Sequence, residues 1–527
     1  MAIYNYIVIY SAQLLHFILR FTHPLSEYVL NFIYRLVMGK AKPLPPIENP
    51  ILLLSAMELA AKIRKKQGKW GLRAKQVNPL LNAIVDDSYD EALKEAKAVD
   101  IMLSKTTKSV EEIVAETPLL GIPFTCKEVI GIKGLSQTNG IVKSRDHIAD
   151  VDCHAAACYR KAGAIPIGVT NVPEISLWWE TDNCIRGMTV NPYDNIRTVG
   201  GSTGGEGAII TAAGSIMGIG TDIGGSIRLP SAFCGIYGHK PSRGIVSNWG
   251  AFPWCHLTPD RRDTRPTKDF VSTGPMCRYA TDLPHLLKVL SDNDSRLKLD
   301  EKVDFKKVKV YYIKEIPGIL QGATRDIKNS IVKAAKHFEE TYNTKTIPIF
   351  FDELSDAFEI WLSKFTQVEA PTVATYIKNQ SGSFHPCLEF LKYILGRSNH
   401  TLPLIFSSFA FAPKKDRHYN LCLQKFDDLL KKFETIFEDD SIVLFPTHPE
   451  PAPHYLMTLP KIPNVGYTGI FNVLGFPVTA IPGGMTQGVP FGIQAISGQF
   501  KDHLTIAAAI ELDKVFGGWK SPCPVNV

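Results

Sequence analysis

Two serines in one glycine-rich stretch each follow a glycine pair: Gly200-Gly201-Ser202 and Gly224-Gly225-Ser226. Ten of the chain's 39 glycines fall between Gly200 and Gly225. Glycine lets backbone pass close to another group and adopts conformations that side chains resist. Such pairs suit backbone N–H groups turned toward an oxyanion, with the serine as nucleophile. A third residue, Lys127, ends the apolar run 122–126, which reads as a buried strand introduced by Pro123. A lysine emerging from apolar surroundings has its ammonium form disfavoured, and the neutral amine is a general base near neutral pH. Taken alone, Lys127 is more simply a surface lysine at a strand end; two glycine-flanked serines shift that balance. Amide hydrolysis needs a nucleophile, a base, an oxyanion site and a proton for a poor leaving amine. A serine hydroxyl both donates and accepts, so one serine can relay protons between the base and the other.

The contexts are distinctive: GIPFTCKE around Lys127, NPYDNIRTVGGSTGGEGA around Ser202, and GIGTDIGGSIRLPSAFCGIYGHKPS around Ser226. With FNVLGFPVTAIPGG and GVPFGIQAISGQFKDHLTIAAA near the C-terminus, the chain resembles the amidase signature family of Ser-Ser-Lys hydrolases over about residues 51–519. Within it the chain is most similar to the animal fatty-acid amide hydrolases that carry an N-terminal membrane segment. The resemblance implies that Ser226 is the nucleophile, Ser202 the bridging serine after a cis peptide bond, and Lys127 the base. It implies an oxyanion hole from the N–H groups of Ile223, Gly224, Gly225 and Ser226. It also implies that Ser176, in TNVPEISLWWE, lines the substrate side.

A competing motif is present. Gly200 to Gly204 satisfies G-x-S-x-G, the nucleophile elbow of α/β-hydrolases. That elbow needs a buried strand before it, whereas residues 191–198 are polar and turn-rich, and no local context singles out His448, His503 or another histidine as partner. No G-x-x-x-x-G-K-[ST] marks an NTP site. His147 and His154 flank Asp150 and Asp152, but Asp152 reads as a helix cap before residues 155–162, so no metal is expected. No cofactor is expected either.

Charge is mild, with 58 basic against 52 acidic residues, and no basic cluster interleaved with aromatics points to nucleic acid. The ten cysteines show no C-x-x-C pair, which argues against a disulfide framework or a zinc module. Residues 3–19 carry no charge, at the short end of the ~17–25 needed to span a bilayer. Residues 28–38 are apolar except for Asn31 and Arg35, which share one helical face, so this segment suits a membrane interface. Arg20, Arg35, Lys40 and Lys42 follow the apolar run and place the body in the cytosol if the run spans. The expected organisation is a membrane-associated segment 1–41, a Pro-rich linker 42–50, and one catalytic domain 51–527. A buried N-terminal helix is the alternative reading of the first segment.

Ser55 and Glu58 form a capping-box pattern, and residues 88–103 read as an amphipathic helix. Two stretches depart from the family pattern: the glycine-bearing GKWGLRAKQ, and the charged run 255–276. Residues 300–445 read as variable and helix-rich, with Phe426, Leu429, Phe433 and Phe437 at helical spacing. The apolar stretch 402–413 reads either as an acyl-channel wall or membrane contact, or as a buried strand or short core helix. Apolar runs 164–169, 442–445 and 478–481 read as buried strands among helices. The fold class is therefore α/β, a mixed central sheet covered by helices on both faces, in agreement with the resemblance. The expected function is hydrolysis of long-chain fatty acid amides, with membrane lipid as a partner and a homodimer left open. The alternatives are a general or aryl amidase, a glutamine-dependent amidotransferase subunit, and an inactive lipid-binding relative.

Overall fold

A computed structural model describes residues 29–39, 42–66, 73–251, 270–316, 322–367, 384–410 and 415–527. Its centre is one mixed sheet of eleven strands. In chain order these are β1 (Ile84–Asp87), β2 (Pro123–Lys127), β3 (Ile165–Thr170), β4 (Met217–Asp222), β5 (Tyr237–Lys240), β6 (Ser272–Cys277), β7 (Lys309–Tyr312), β8 (Thr346–Pro348), β9 (Ser441–Pro446), β10 (Val478–Thr486) and β11 (Val489–Ile496). Their spatial order is β1-β3-β2-β4-β6-β5-β10-β11-β9-β7-β8. β2 lies parallel to both neighbours, while the run from β4 to β9 is antiparallel. The expected strands at 122–126, 164–169, 442–445 and 478–481 are present as β2, β3, β9 and β10.

Side-chain alternation decides which face each residue serves. On β9, Ile442 and Leu444 join one apolar cluster with Phe124, Leu287 and Phe338, while Val443 and Phe445 join another with Trp361, Phe433 and Phe471. The sheet is thus covered on both faces. On β2, Phe124 and Cys126 enter the first cluster, so Thr125 and Lys127 point to the opposite face. There lies the wholly buried helix Gly204–Thr211. Its glycines permit the approach: a Cβ on Gly205 would lie 2.5 Å from the Asn171 amide nitrogen and 2.8 Å from the Ala83 carbonyl.

The local signals fare unevenly. Ser55 and Glu58 make the reciprocal capping box, and the second amphipathic helix spans Tyr89–Lys105. Asp152, however, caps nothing: the helix begins at His154 behind Cys153, and the Asp152 carboxylate accepts the Lys133 N–H and pairs with Arg160. The irregular GKWGLRAKQ stretch conceals the helix Arg73–Leu81, where the buried Arg73 guanidinium donates to the carbonyls of Pro45, Pro46 and Ala212. Residues 67–72, and 252–269 of the charged run, lie outside the described residues; the end of that run is β6. The region 300–445 includes β7 and β8 as well as helices, and the helical spacing there becomes Arg417–Phe437. Leu402–Ala410 is a short helix rather than a strand, with Leu404 and Ile405 buried.

The apolar run 3–19 lies outside the described residues. Among those described, no helix is long and apolar enough to cross a membrane. Helix 29–38 is present, and its polar face holds it to the body. Asn31 lies 3.0 Å from His454 Nε2, Arg35 pairs with Asp194 at 2.9 Å, and the Tyr34 hydroxyl donates to the Tyr455 carbonyl. Its other face leaves Phe32, Leu36 and Val37 at 65–77 % exposure.

Candidate active site

Lys127 ends β2 almost wholly buried. Its Nζ lies 2.7 Å from Ser202 Oγ and 2.9 Å from Thr221 Oγ1. Burial drives its pKa down to about 7, against the opposing pull of the Asp222 charge. A second buried lysine, Lys240, is also brought to about 7, by burial and by Arg228, but it donates to the Pro241 carbonyl and touches neither serine. Ser202 follows the cis peptide bond Gly201–Ser202. The glycines before it are sterically required. A Cβ on Gly200, at φ +86°, would lie 2.7 Å from Pro230 Cα, and one on Gly201 would lie 2.7 Å from the Trp178 carbonyl oxygen.

Ser226 sits on the turn from β4 into the helix Arg228–Cys234. Its carbonyl accepts the Thr203 N–H at 3.1 Å, which joins the two serine-bearing loops. The turn is organised by Asp222, the last residue of β4. One oxygen accepts the Gly225 N–H at 2.7 Å, and the other accepts the Ile227 N–H at 3.1 Å. The Arg228 guanidinium donates to both at 3.0 Å, and also reaches Asn472 and Gln494. Burial alone would push this carboxyl up, but Arg228, Lys240 and the Ile227 amide outweigh it and hold the group well below the usual carboxylate range.

The carbonyls of the turn are drawn the other way. Ile223 accepts from Trp361 Nε1 at 2.9 Å, and Gly224 accepts from Thr468 Oγ1 at 2.5 Å. In a trans peptide, N–H and C=O point oppositely, so these bonds fix the direction of the Gly224 and Gly225 amides. The Gly225 N–H is therefore committed to Asp222, unlike the four-donor expectation. Among the described residues, the amides of Ile223, Gly224 and Ser226 have no protein acceptor.

Ser226, Gly201 and Gly224 line a recess open to solvent. Its walls are mainly apolar, with Trp178, Trp179, Leu229, Trp361 and Val465. Ser176 also lines the recess, at φ 53° with its hydroxyl bonded to Asn139. Among the described residues, none of 402–408 lines the recess, whereas Trp361 and Val465 do. No histidine lines the recess among the described residues. His448 packs its ring on Trp179 and Phe233 outside it. Residues 191–198 form no strand, so the nucleophile-elbow geometry is not present.

Sequence reasoning missed the supports. Asp222 and Arg228 stood in view inside GTDIGGSIRLP, and their opposite charges in an otherwise apolar segment were the available signal. Asn472 and Thr468 lay in the C-terminal motif, where a buried amide within FNVLGFP pointed to a partner. Trp361 had no signal. Asp222→Ala is expected to destabilise the fold by roughly 3–5 kcal/mol, because it leaves the Arg228 guanidinium buried and unpaired. Urea denaturation checks this; an unchanged midpoint would mean that the pair does not hold the turn.

Residues 72–506 match the sequence pattern of the amidase family. The chain is 38 % identical over 497 residues to human fatty-acid amide hydrolase 2, covering 90 % of this chain and 92 % of that one. It is 29 % identical to an indoleacetamide hydrolase of Bradyrhizobium diazoefficiens, covering 84 % of this chain and 82 % of that one. Among solved structures, a fatty acid amide hydrolase superposes with a TM-score of 0.70 at 21 % identity, covering 93 % of this chain and 89 % of that one. Sequence pattern, relatives and fold agree: the chain belongs to the amidase signature family and is an amide-cleaving hydrolase.

Proposed function

We propose that this enzyme hydrolyses long-chain fatty acid amides through Lys127, Ser202 and Ser226, with a Ser226 acyl-enzyme. The observation that carries the reading is the 2.7 Å contact of Lys127 Nζ with Ser202 Oγ and an apolar recess that Ser226 lines. A neutral Lys127 donates one N–H to Thr221 and turns its lone pair to Ser202. Lys127 takes the Ser202 proton as Ser202 takes that of Ser226, and Ser226 Oγ attacks the amide carbonyl. The oxyanion is met by the amides of Ile223, Gly224 and Ser226, each worth on the order of 10²–10³ in rate. The same relay returns a proton to the leaving amine, and water then cleaves the ester. Ser176 faces the substrate from the wall. The acyl chain lies along Trp178, Leu229 and Trp361.

Each buried methylene adds roughly 0.8 kcal/mol, so kcat/KM is expected to climb with acyl length across primary amides until the recess is filled. Steady-state kinetics on a chain-length series checks this. A flat series would leave a general amidase.

A substrate of this kind partitions into bilayers, and two described helices show apolar faces to solvent. They are 29–38, and Pro386–Ile394 with Leu388, Leu391 and Ile394 exposed. Together with the uncharged run 3–19 they support attachment to a membrane, with the body on the cytosolic side. Removing residues 1–41 is expected to move most of the protein from the vesicle pellet to the supernatant in co-sedimentation, with activity on short soluble amides retained. Full-length protein that stays in the supernatant would overturn the attachment.

A further inference from the structure

Away from the recess, the helix His154–Lys161 packs beside the helix Leu283–Leu290. His154 and Cys158 stand one turn apart and therefore share a face. Asp292 reaches that face from the turn after the second helix. Asp292 and Asn293 there both take left-handed backbone, at φ 52° and 60°. Two successive left-handed residues, neither of them glycine, are conformationally costly; Asp and Asn bear that cost better than most. The result is to aim a carboxylate at the histidine and the thiol.

Three donor atoms of different chemistry converge. His154 Nε2 lies 2.8 Å from Asp292 Oδ2 and 3.5 Å from Cys158 Sγ, which lies 3.6 Å from Asp292 Oδ1. Among the described residues this is the one such group of three whose ligand atoms fall together. Zinc bonds of about 2.3 Å to sulfur, 2.05 Å to nitrogen and 2.0 Å to oxygen fix the edges of a tetrahedron. The sulfur–nitrogen and sulfur–oxygen edges come to about 3.5 Å and the nitrogen–oxygen edge to about 3.3 Å. The sulfur–nitrogen separation already matches; Asp292 meets the thiol through Oδ1 and the imidazole through Oδ2, so a turn of the carboxylate is needed to bring one oxygen to both edges. Cys158 is buried on the protein side, while the Asp292 side chain is 59 % exposed, so the fourth position faces water.

We propose that His154, Cys158 and Asp292 form a binding site for a divalent cation of the zinc class, clamping the two helices. Thiolate, imidazole and carboxylate together select a borderline ion over magnesium or calcium. Without the ion, burial and then Asp292 push the Cys158 thiol up to about 12, with Cys153 adding and Lys161 opposing. A bound dication reverses the effect of that carboxylate and takes the place of the thiol proton.

Cobalt(II) titrated into chelator-treated full-length protein is the test. One equivalent is expected to bind with a thiolate-to-cobalt charge-transfer band, which zinc then displaces. Cys158→Ala is expected to abolish the band. Asp292→Asn suits the left-handed turn at an exposed position and is expected to weaken zinc at least tenfold, with amide hydrolysis and far-UV circular dichroism unchanged. No band in the unmodified protein would overturn the proposal. So would a band that survives Cys158→Ala, since the chain has nine other cysteines to supply it, and so would undiminished zinc affinity in Asp292→Asn.

Discussion

Replacing Ser226 with alanine is expected to abolish both amide turnover and covalent labelling by a fluorophosphonate, with loss of kcat on the order of 10⁶. Ser226 lines the recess, as Ser202 does not, and the amides of Ile223, Gly224 and Ser226 on its turn have no protein acceptor among the described residues. An attacking oxygen needs such donors within reach of the oxyanion it creates. Ser202 is instead buried against Lys127, with its hydroxyl already in a hydrogen bond. Ser202→Ala should therefore slow labelling without moving it, since the nucleophile stays and only its relay is lost. The measurement is intact-protein and peptide mass spectrometry of the phosphonylated adduct. An adduct mapped to Ser202 would exchange the roles of the two serines. Because the alanine change removes one oxygen that has no hydrogen-bond partner holding the fold among the described residues, the fold should persist, and circular dichroism provides the check.

The second large effect concerns pH. Lys127 has its pKa brought from 10.5 to about 7 by burial, with Asp222 opposing. With the unprotonated amine as the proposed base, kcat/KM is expected to rise with pH, reach half its plateau near 7, and level above about 8. The sign follows for stability as well. Between about 7 and the ordinary lysine value, the unfolded chain holds a proton that the native chain has lost, so stability from this group rises with pH through that window. Lys127→Ala is expected to remove the alkaline-rising limb and lower the rate by roughly 10³–10⁴, by analogy with losing the base of a hydrolase relay. A Lys127→Ala enzyme that keeps the limb would assign it to another group. Lys240 has a similar pKa, but its contact with the Pro241 carbonyl gives it no path to either serine.

The parts of this site that sequence revealed were those with a local cause. Glycine pairs before Ser202 and Ser226 were legible because close approach of backbone excludes side chains wherever it occurs. Lys127 was legible as the end of an apolar run, and strand alternation then fixes the face it serves. Ser55 with Glu58 was legible because a capping box closes within one turn. Asp152 misled because a short acidic residue before a helix is a good cap only when its backbone is extended at the right residue; here Cys153 holds that position. Helix Arg73–Leu81 was obscured because it is held by three carbonyls distant in sequence, which Arg73 collects. Trp361 was invisible for the same reason: its partner, the Ile223 carbonyl, lies 138 residues away. The sheet order is likewise beyond local patterning, since β10 and β11 insert between β5 and β9.

That insertion has a bearing on the enzyme's birth at the ribosome. Lys127, Ser202 and Ser226 all emerge in the first half of synthesis. The groups that shape the turn around Ser226 come last: Thr468 and Asn472, then Gln494 on β11. At ~5–20 residues per second, a nascent chain carries Lys127, Ser202 and Ser226 for roughly 13–54 s before Gln494 is made. Until residue 468 is made, the central sheet lacks its β10–β11 hairpin and the turn around Ser226 lacks its ties to Thr468, Asn472 and Gln494. On the proposed reading of Ser226 as the nucleophile, the attacking residue is translated early and its turn is tied in place late.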